Sequence, residues 1–290
     1  MIYSDCILKS NFLMDNKQIC LLDISGFIYR AYYASPHMQY NGIEVGSLFG
    51  FCSEILKIYS IFNGSIFVAA MDCSRYTVRN EIYKEYKSNR KQMPNDLLQQ
   101  LPLIHEVCEK FGFNNVKCDN YEADDIIASF VNHYSERKQL IVISADKDLL
   151  QLLNFNNTKV YNPVKHKYIN DNDVIKMFGV TKDKILDILS LMGDKADNIP
   201  GAFGIGPKNA SKLIQEYGSL ENILQNCNNT KIKQSIDNII LSKKLIELQY
   251  NLNINYNINY KDPDKLEEYL KSFEFNSLIK RLNKINLSVI

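Results

Sequence analysis

The chain lacks the groupings that hold soft metals. Its four histidines are dispersed, and its seven cysteines (Cys6, Cys20, Cys52, Cys73, Cys108, Cys118, Cys227) never form a CxxC pair or stand beside paired histidines. A zinc site is therefore disfavoured. An odd number of scattered thiols also argues against a disulfide framework and for a reducing cytosol, with the thiols packed as small hydrophobes. No apolar run approaches a membrane span. The first eighteen residues are broken by Asp5, Lys9 and Asp15 and contain no signal-peptide core. They are expected to form a loosely held extension, 1–18, with Met14 an alternative start. Nor is there an excess of one charge sign: 34 basic and 33 acidic residues leave a net charge of +1. That total neither favours nor excludes nucleic acid, because the local sign of a surface decides. No internal repeat of solenoid period is present.

What remains is an ordinary globular composition, 46% hydrophobic and 23% charged over 290 residues, enough for one large domain or two smaller ones. Short β-rich apolar runs, ICLLD (19–23), SIFVAAMD (65–72) and LIVISAD (140–146), alternate with amphipathic segments. This pattern predicts an α/β domain over 19–170, with a largely parallel sheet covered on both faces. After about residue 170 the strand signal fades. Residues 171–290 are expected to be a helical region, and the asparagine-rich tracts 154–158 and 226–230 read as loops.

Each of the three strands ends in an aspartate: Asp23, Asp72 and Asp146. In open α/β sheets ligands gather at the carboxyl ends of strands, so three such acids on neighbouring strands point to a shared site. More acids follow: Glu122, Asp124 and Asp125 in NYEADDIIASF, Asp148 in SADKDLLQLL, and Asp194 and Asp197 in LMGDKADNIPG. Spacings of two on an extended segment or three on a helix aim both members of a pair one way. For a single acid, a helix cap or a solvated side chain is the commoner explanation. For nine the balance reverses, because ion-pair networks need adjacent cations and only Lys147 and Lys195 interrupt these groups. Hard divalent cations such as Mg²⁺ take oxygen ligands, and two ions roughly 4 Å apart suit phosphodiester hydrolysis.

Two further stretches fit that chemistry. SRYTVRNEIYKEYKSNRKQMP (74–94) carries Arg75, Arg79, Lys84, Lys87, Arg90 and Lys91, with Tyr76, Tyr83 and Tyr86 interleaved. Cations bind phosphates and rings stack on bases, although a solvated helix accounts for about half of such segments. In NIPGAFGIGPKNASKLI (198–214), Gly201, Gly204 and Gly206 precede Pro207, which suits the first turn of a helix. Exposed N–H groups there, with Lys208 alongside, would hold a phosphate. A plain helix–helix turn is the alternative.

Taken together, LLDISGFIYRAYYA, VRNEIYKEYKSNR, MPNDLLQQLPLIHEV, YEADDIIASF, SADKDLLQLL and GDKADNIPGAFGIGPKNASKLI resemble the bacterial 5′-nuclease family, from about Cys20 to near the C-terminus. The family comprises the 5′→3′ exonuclease domain of DNA polymerase I, its stand-alone relatives and flap endonucleases. The resemblance implies a PIN-like fold with a helical arch at about 74–94 and a helix-three-turn-helix at about 190–217. It implies Mg²⁺, two or more ions, replaceable by Mn²⁺. Asp23, Asp72, Glu122, Asp124, Asp125 and Asp146 would surround the tighter site, and Asp148, Asp194 and Asp197 the second. Lys87 and Arg90 resemble the arch-base pair that polarises the scissile phosphate, and Arg79 resembles a further arch-base arginine. Tyr86 and the hairpin, the latter often with K⁺, would contact DNA. Implied substrates are 5′-flap, nicked or branched duplexes, with an RNA primer strand among them, cut by a cytoplasmic monomer. Phe203 departs from the polar or basic residue often found in the hairpin, and the N-terminal extension is a second departure. KLEEYLKSFEFNSLIKRL is similar to the close of the polymerase-attached domain, so a stand-alone enzyme or an excised domain is expected. The rival readings are a non-catalytic branched-DNA-binding protein and a PIN-like ribonuclease.

Overall fold

A computed structural model describes residues 17–254 and 262–285. Most of the expected N-terminal extension, Met14 included, lies outside the described residues. The order of elements is β1 (Ile19–Asp23), α1 (Ile24–Ala34), β2 (Gln39–Tyr40), β3 (Ile43–Glu44), α2 (Gly46–Ile61), β4 (Ile66–Ala70), α3 (Val78–Ile82), α4 (Asn95–Lys110), β5 (Asn114–Val116), α5 (Ala123–Tyr134), β6 (Leu140–Ile143), a 3₁₀ turn (Asp148–Asn154), β7 (Thr158–Asn162) and β8 (Lys167–Ile169). Helices then take over: α6 (Asp171–Phe178), α7 (Ile185–Met192), α8 (Pro207–Tyr217), α9 (Leu220–Asn226), α10 (Thr230–Gln234), α11 (Ile236–Ile246), α12 (Pro263–Ser272) and α13 (Asn276–Leu282).

The central sheet runs β5-β4-β1-β6-β7-β8, parallel except for the antiparallel β8 at one edge. The three strands read from sequence are thus side by side, with β1 between β4 and β6. Alternate side chains on a strand face opposite ways. Ile19 and Leu21 accordingly join one core, while Cys20 and Leu22 join the other. The first core runs through α5 into the helical region, reaching Val174, Ile188, Ile223 and Leu245. Among the described residues no separate core divides sheet from helices on that side.

The second core lies under α1, α2 and α4, where Tyr59 stacks against Phe67, Phe111 and Phe113. The last helices of the expected helical region pack on this side as well. Helices α12 and α13 pack onto α4 and α2 on the far side of the sheet, and their Leu266, Leu270, Leu278 and Leu282 enter the second core. Tyr269 donates to the Leu103 carbonyl at 2.9 Å, and Arg281 donates to the Ser53 carbonyl at 2.9 Å. An apolar stripe shows that a helix packs, not against which surface.

Candidate active site

The parallel strands deliver Asp23, Asp72 and Asp146 to one end of the sheet, and each is then fixed locally. Asp23 caps α1, accepting from the Gly26 amide at 3.1 Å, and also accepts from Ser144 Oγ at 3.0 Å. Asp72 accepts from Ser25 Oγ at 2.6 Å and from the Ala123 amide at 2.8 Å, which joins the loop after β4 to the start of α5. Asp146 donates its amide to Ser144 Oγ and accepts from the Asp148 amide at 2.8 Å. Ser25 and Ser144 were not picked out from the sequence. Their signal in the sequence is a place two residues from a strand-end aspartate.

The electrostatics are those of crowded anions. Burial, with Asp72 and Asp146 close by, pushes the Asp23 carboxyl up to about 6. Asp124 is also raised, by burial and by Asp146 and Asp23. Asp148 rises to about 8 through burial and the charge of Asp146, and its Oδ1 is buried without a hydrogen-bond partner. Among the described residues no three of these side chains converge as a ready-made cation site. Asp23, Asp72 and Asp146 have turned to hydroxyls and amides, and Glu122, Asp194 and Asp197 to cations, as mutually repelling groups do. The donor set still fits a hard divalent ion. It is all oxygen, includes three carboxyls that burial and neighbouring charge raise, and has an orphaned oxygen. Mg²⁺ keeps several waters and needs only a few direct carboxylates.

The basic segment is folded onto these acids. It holds one short helix, α3, followed by turns. Lys87 Nζ lies 2.7 Å from Glu122 Oε1, and the Arg90 guanidinium lies 2.5 Å from Asp197. Lys147 Nζ is 2.6 Å from Asp194. Burial raises Asp194, but this ammonium outweighs it and holds the carboxyl below its ordinary range. Lys87 has a left-handed backbone (φ 56°), held by its amide donating to the Asp197 carbonyl at 2.9 Å. A lysine in that region is strained, and such strain gathers at working sites. The acids therefore do have cationic partners, brought from distant sequence.

Three of the expected site residues are held by other partners in the structure. Asp125 does not join the other acids: its side chain is fully buried and is held by both Arg79 Nη1 and Nη2, at 2.5 and 2.8 Å, and by the Gln249 amide at 3.0 Å. Arg79 is not at an open arch base. It is buried, donates to the Leu245 carbonyl at 2.7 Å, and ties α3, α5 and the end of α11 together. Tyr86 is 5% exposed and donates to Glu122 Oε2 at 3.1 Å, so its ring is not available to a base. Glu122 is itself shared among Lys87, Tyr86 and, at 3.5 Å, Arg79. From sequence, a turn-aside of one residue within YEADD has no signature.

The glycine hairpin joins α7 to α8. Gly193 and Gly201 cross backbone to backbone: a Cβ on Gly201 (φ 62°) would meet the Gly193 nitrogen at 2.5 Å. The Gly201 amide donates to Ser242 Oγ, and that of Phe203 to Ser235 Oγ. Gly204 (φ 67°) passes under Lys231, whereas Gly206, at the α8 N-terminus, has open space around it. Lys208 is exposed and Phe203 is 80% exposed.

An α/β sheet with acids at its carboxyl edge, a basic segment laid across them and a glycine-turned helix pair define a nuclease of the resolvase-like class. Residues 18–179 match the 5′-3′ exonuclease N-terminal resolvase-like domain, and residues 180–269 match the 5′-3′ exonuclease C-terminal SAM fold. The chain belongs to the 5′-3′ exonuclease family. It is 35% identical over 279 residues to a 5′-3′ exonuclease of Aquifex aeolicus, covering 93% of this chain and 96% of that protein. Against the DNA polymerase I of Rhizobium leguminosarum it is 34% identical over 90% of this chain but only 28% of that protein. The bacteriophage T5 D15 flap endonuclease, solved with DNA and metal ions, superposes with a TM-score of 0.67 at 18% identity, covering 93% of this chain and 98% of that one. Among the described residues no helix is long and apolar enough to cross a membrane.

Proposed function

We propose that the chain is a divalent-metal-dependent 5′→3′ exonuclease and 5′-flap endonuclease. It would hydrolyse DNA phosphodiesters in replication and repair, RNA-primed strands included, and leave a 5′-phosphate. The observation that carries this reading is the set of acids brought to one end of the sheet, Asp23, Asp72, Asp124, Asp146 and Asp148, close enough that burial and one another's charge raise Asp23, Asp124 and Asp148, with Lys87 and Arg90 bound to the neighbouring Glu122 and Asp197. Asp23, Asp72, Asp124 and Asp146, with Glu122, are the residues that would hold one Mg²⁺ or Mn²⁺; Asp148, Asp194 and Asp197 would hold a second. A bound divalent ion supplies an activated water and stabilises the leaving oxygen. Lys87 and Arg90 supply positive charge for the scissile phosphate once they leave Glu122 and Asp197. The N-terminus of α8, with Lys208, offers donors for a duplex phosphate, and K⁺ at the hairpin belongs to the same reading. The enzyme is taken to act in the cytoplasm as a monomer.

The test is cleavage of 5′-flap and nicked duplexes, DNA and RNA-primed, with Mg²⁺ or with EDTA. Metal-dependent release of 5′-phosphorylated products is expected, and Asp146→Asn is expected to bind flap DNA without cutting it. Binding without cleavage by the unaltered protein would leave the non-catalytic reading, and cleavage of single-stranded RNA alone would leave the ribonuclease reading.

A further inference from the structure

Next to the acids, a cleft of about 490 Å³ opens between α1, the basic segment and α4. It reaches the acid cluster at Asp72 and Glu122. One part of its lining is cationic: Arg75, Lys91 and Lys117 join Lys87 and Arg90 there. The last two are held by carboxylates, but among the described residues Arg75, Lys91 and Lys117 have no acidic partner. Arg75 is steadied by donating Nη2 to the Arg90 carbonyl at 2.9 Å. Another part is apolar. Ile28 and Tyr29 come from α1, and Leu98 and Leu101 from one face of α4. Tyr29 is 36% exposed and Leu98 47% exposed, large side chains that show part of their surface to solvent.

Unpaired cations next to an exposed ring and leucine suit a ligand that is anionic at one end and flat and apolar at the other. The volume falls within the roughly 300–1,000 Å³ of small-molecule sites and is too small for a duplex. We infer that this cleft takes the 5′-terminal nucleotide of a single strand. Its 5′-monophosphate lies against Arg75, Lys91 and Lys117, and its base lies against Tyr29 and Leu98. A ring on tyrosine and a phosphate on arginine are each favourable contacts. The inference rests on the proposed function for the strand to which the nucleotide belongs, whereas occupancy by a free nucleotide does not require cleavage.

The test is therefore calorimetric titration of the whole chain in EDTA with dAMP, deoxyadenosine and inorganic phosphate separately. Saturable binding of dAMP is expected, with deoxyadenosine and phosphate each at least about tenfold weaker. Arg75→Ala and Leu98→Gln, both at exposed positions, should each weaken dAMP binding and leave the melting temperature unchanged. On flap substrates, a 5′-phosphate should be cut faster than a 5′-hydroxyl, and Arg75→Ala should erase that preference. Phosphate binding as tightly as dAMP, with Leu98→Gln silent, would reduce the cleft to a bare anion patch and overturn the inference. No saturable dAMP binding by a chain that still cuts flaps would overturn it and leave the proposed function standing. Binding of dAMP by a chain that cuts nothing would do the reverse.

Discussion

Replacing Asp125 by asparagine keeps the side chain's shape and removes its charge from a pair that is almost completely out of water, with side-chain exposures of 0% for Asp125 and 5% for Arg79. The Arg79 guanidinium would keep only the Glu122 carboxylate, 3.5 Å away and already committed to Lys87 and Tyr86. Removing one partner of a buried pair costs about 3–5 kcal/mol, because the other charge stays buried. The Asn Oδ1 can still accept one hydrogen bond, which places the expectation near ~3 kcal/mol. With an unfolding entropy of about 2.1 cal/mol/K per residue, a loss of ~3–5 kcal/mol lowers the melting temperature of a chain this long by about 5–8 °C. Circular dichroism melts in EDTA are the right assay, since no metal contribution can then be lost. The pair Arg79→Met with Asp125→Leu should recover part of what either change alone costs. A melt within ~1 °C of the parent, coupled with loss of metal-dependent cleavage, would refute the reasoning and return Asp125 to the metal-binding acids.

Asp124→Asn should behave oppositely: relieving a buried carboxylate of Asp146 and Asp23 raises the metal-free melting temperature and narrows the difference that Mg²⁺ makes, and an unchanged difference would count against it. Asp23 and Asp148, with folded values of about 6 and about 8 against 3.8 unfolded, hold protons that the unfolded chain releases. Their stabilising contribution is complete below the unfolded value and is lost as pH rises through 6 and then 8. The metal-free protein should therefore melt lower at pH 8 than at pH 5, and binding of a divalent ion should release protons in that window; a flat profile and proton-neutral binding would contradict this. Gly201→Ala should destabilise by about 1–3 kcal/mol, because a left-handed residue would also meet backbone at 2.5 Å, whereas Gly206→Ala has open space and should be silent in the same melts. Lys87→Ala should slow single-turnover cleavage more than flap binding, and an unchanged rate would remove Lys87 from the chemistry.

The sheet was legible because buried parallel strands write themselves as unbroken apolar runs: ICLLD and LIVIS can hardly be anything else, and each was closed by its aspartate. The hairpin was legible because Gly201 and Gly204 occupy backbone that other residues strain to adopt. Sequence could not tell which acid of YEADD turns inward. Asp124 and Asp125 differ by one helical step of about 100°, and the partner that claims Asp125 lies 46 residues away. Tyr86 misled for a related reason: interleaved rings and cations look alike whether the ring meets solvent or Glu122. The ion pairs Lys87–Glu122 and Arg90–Asp197 are likewise long-range, and no local spacing announces them.

The packing of α12 and α13 onto α4 and α2 also orders events in time. Phe49 on α2 meets Phe275, and Leu101 and Leu103 on α4 are covered from the same side. During synthesis the roughly 150 residues between α4 and α12 take about 8–30 s to add, and for that interval this apolar face has no lid of its own. The acids are all made before that interval ends, while the helices that cover this side of the sheet, α2 and α4, still lack the layer that packs on them. A ribosome paused late in the message would thus carry a complete set of acidic side chains on a sheet whose covering helices α2 and α4 are still open and adhesive on their outer side.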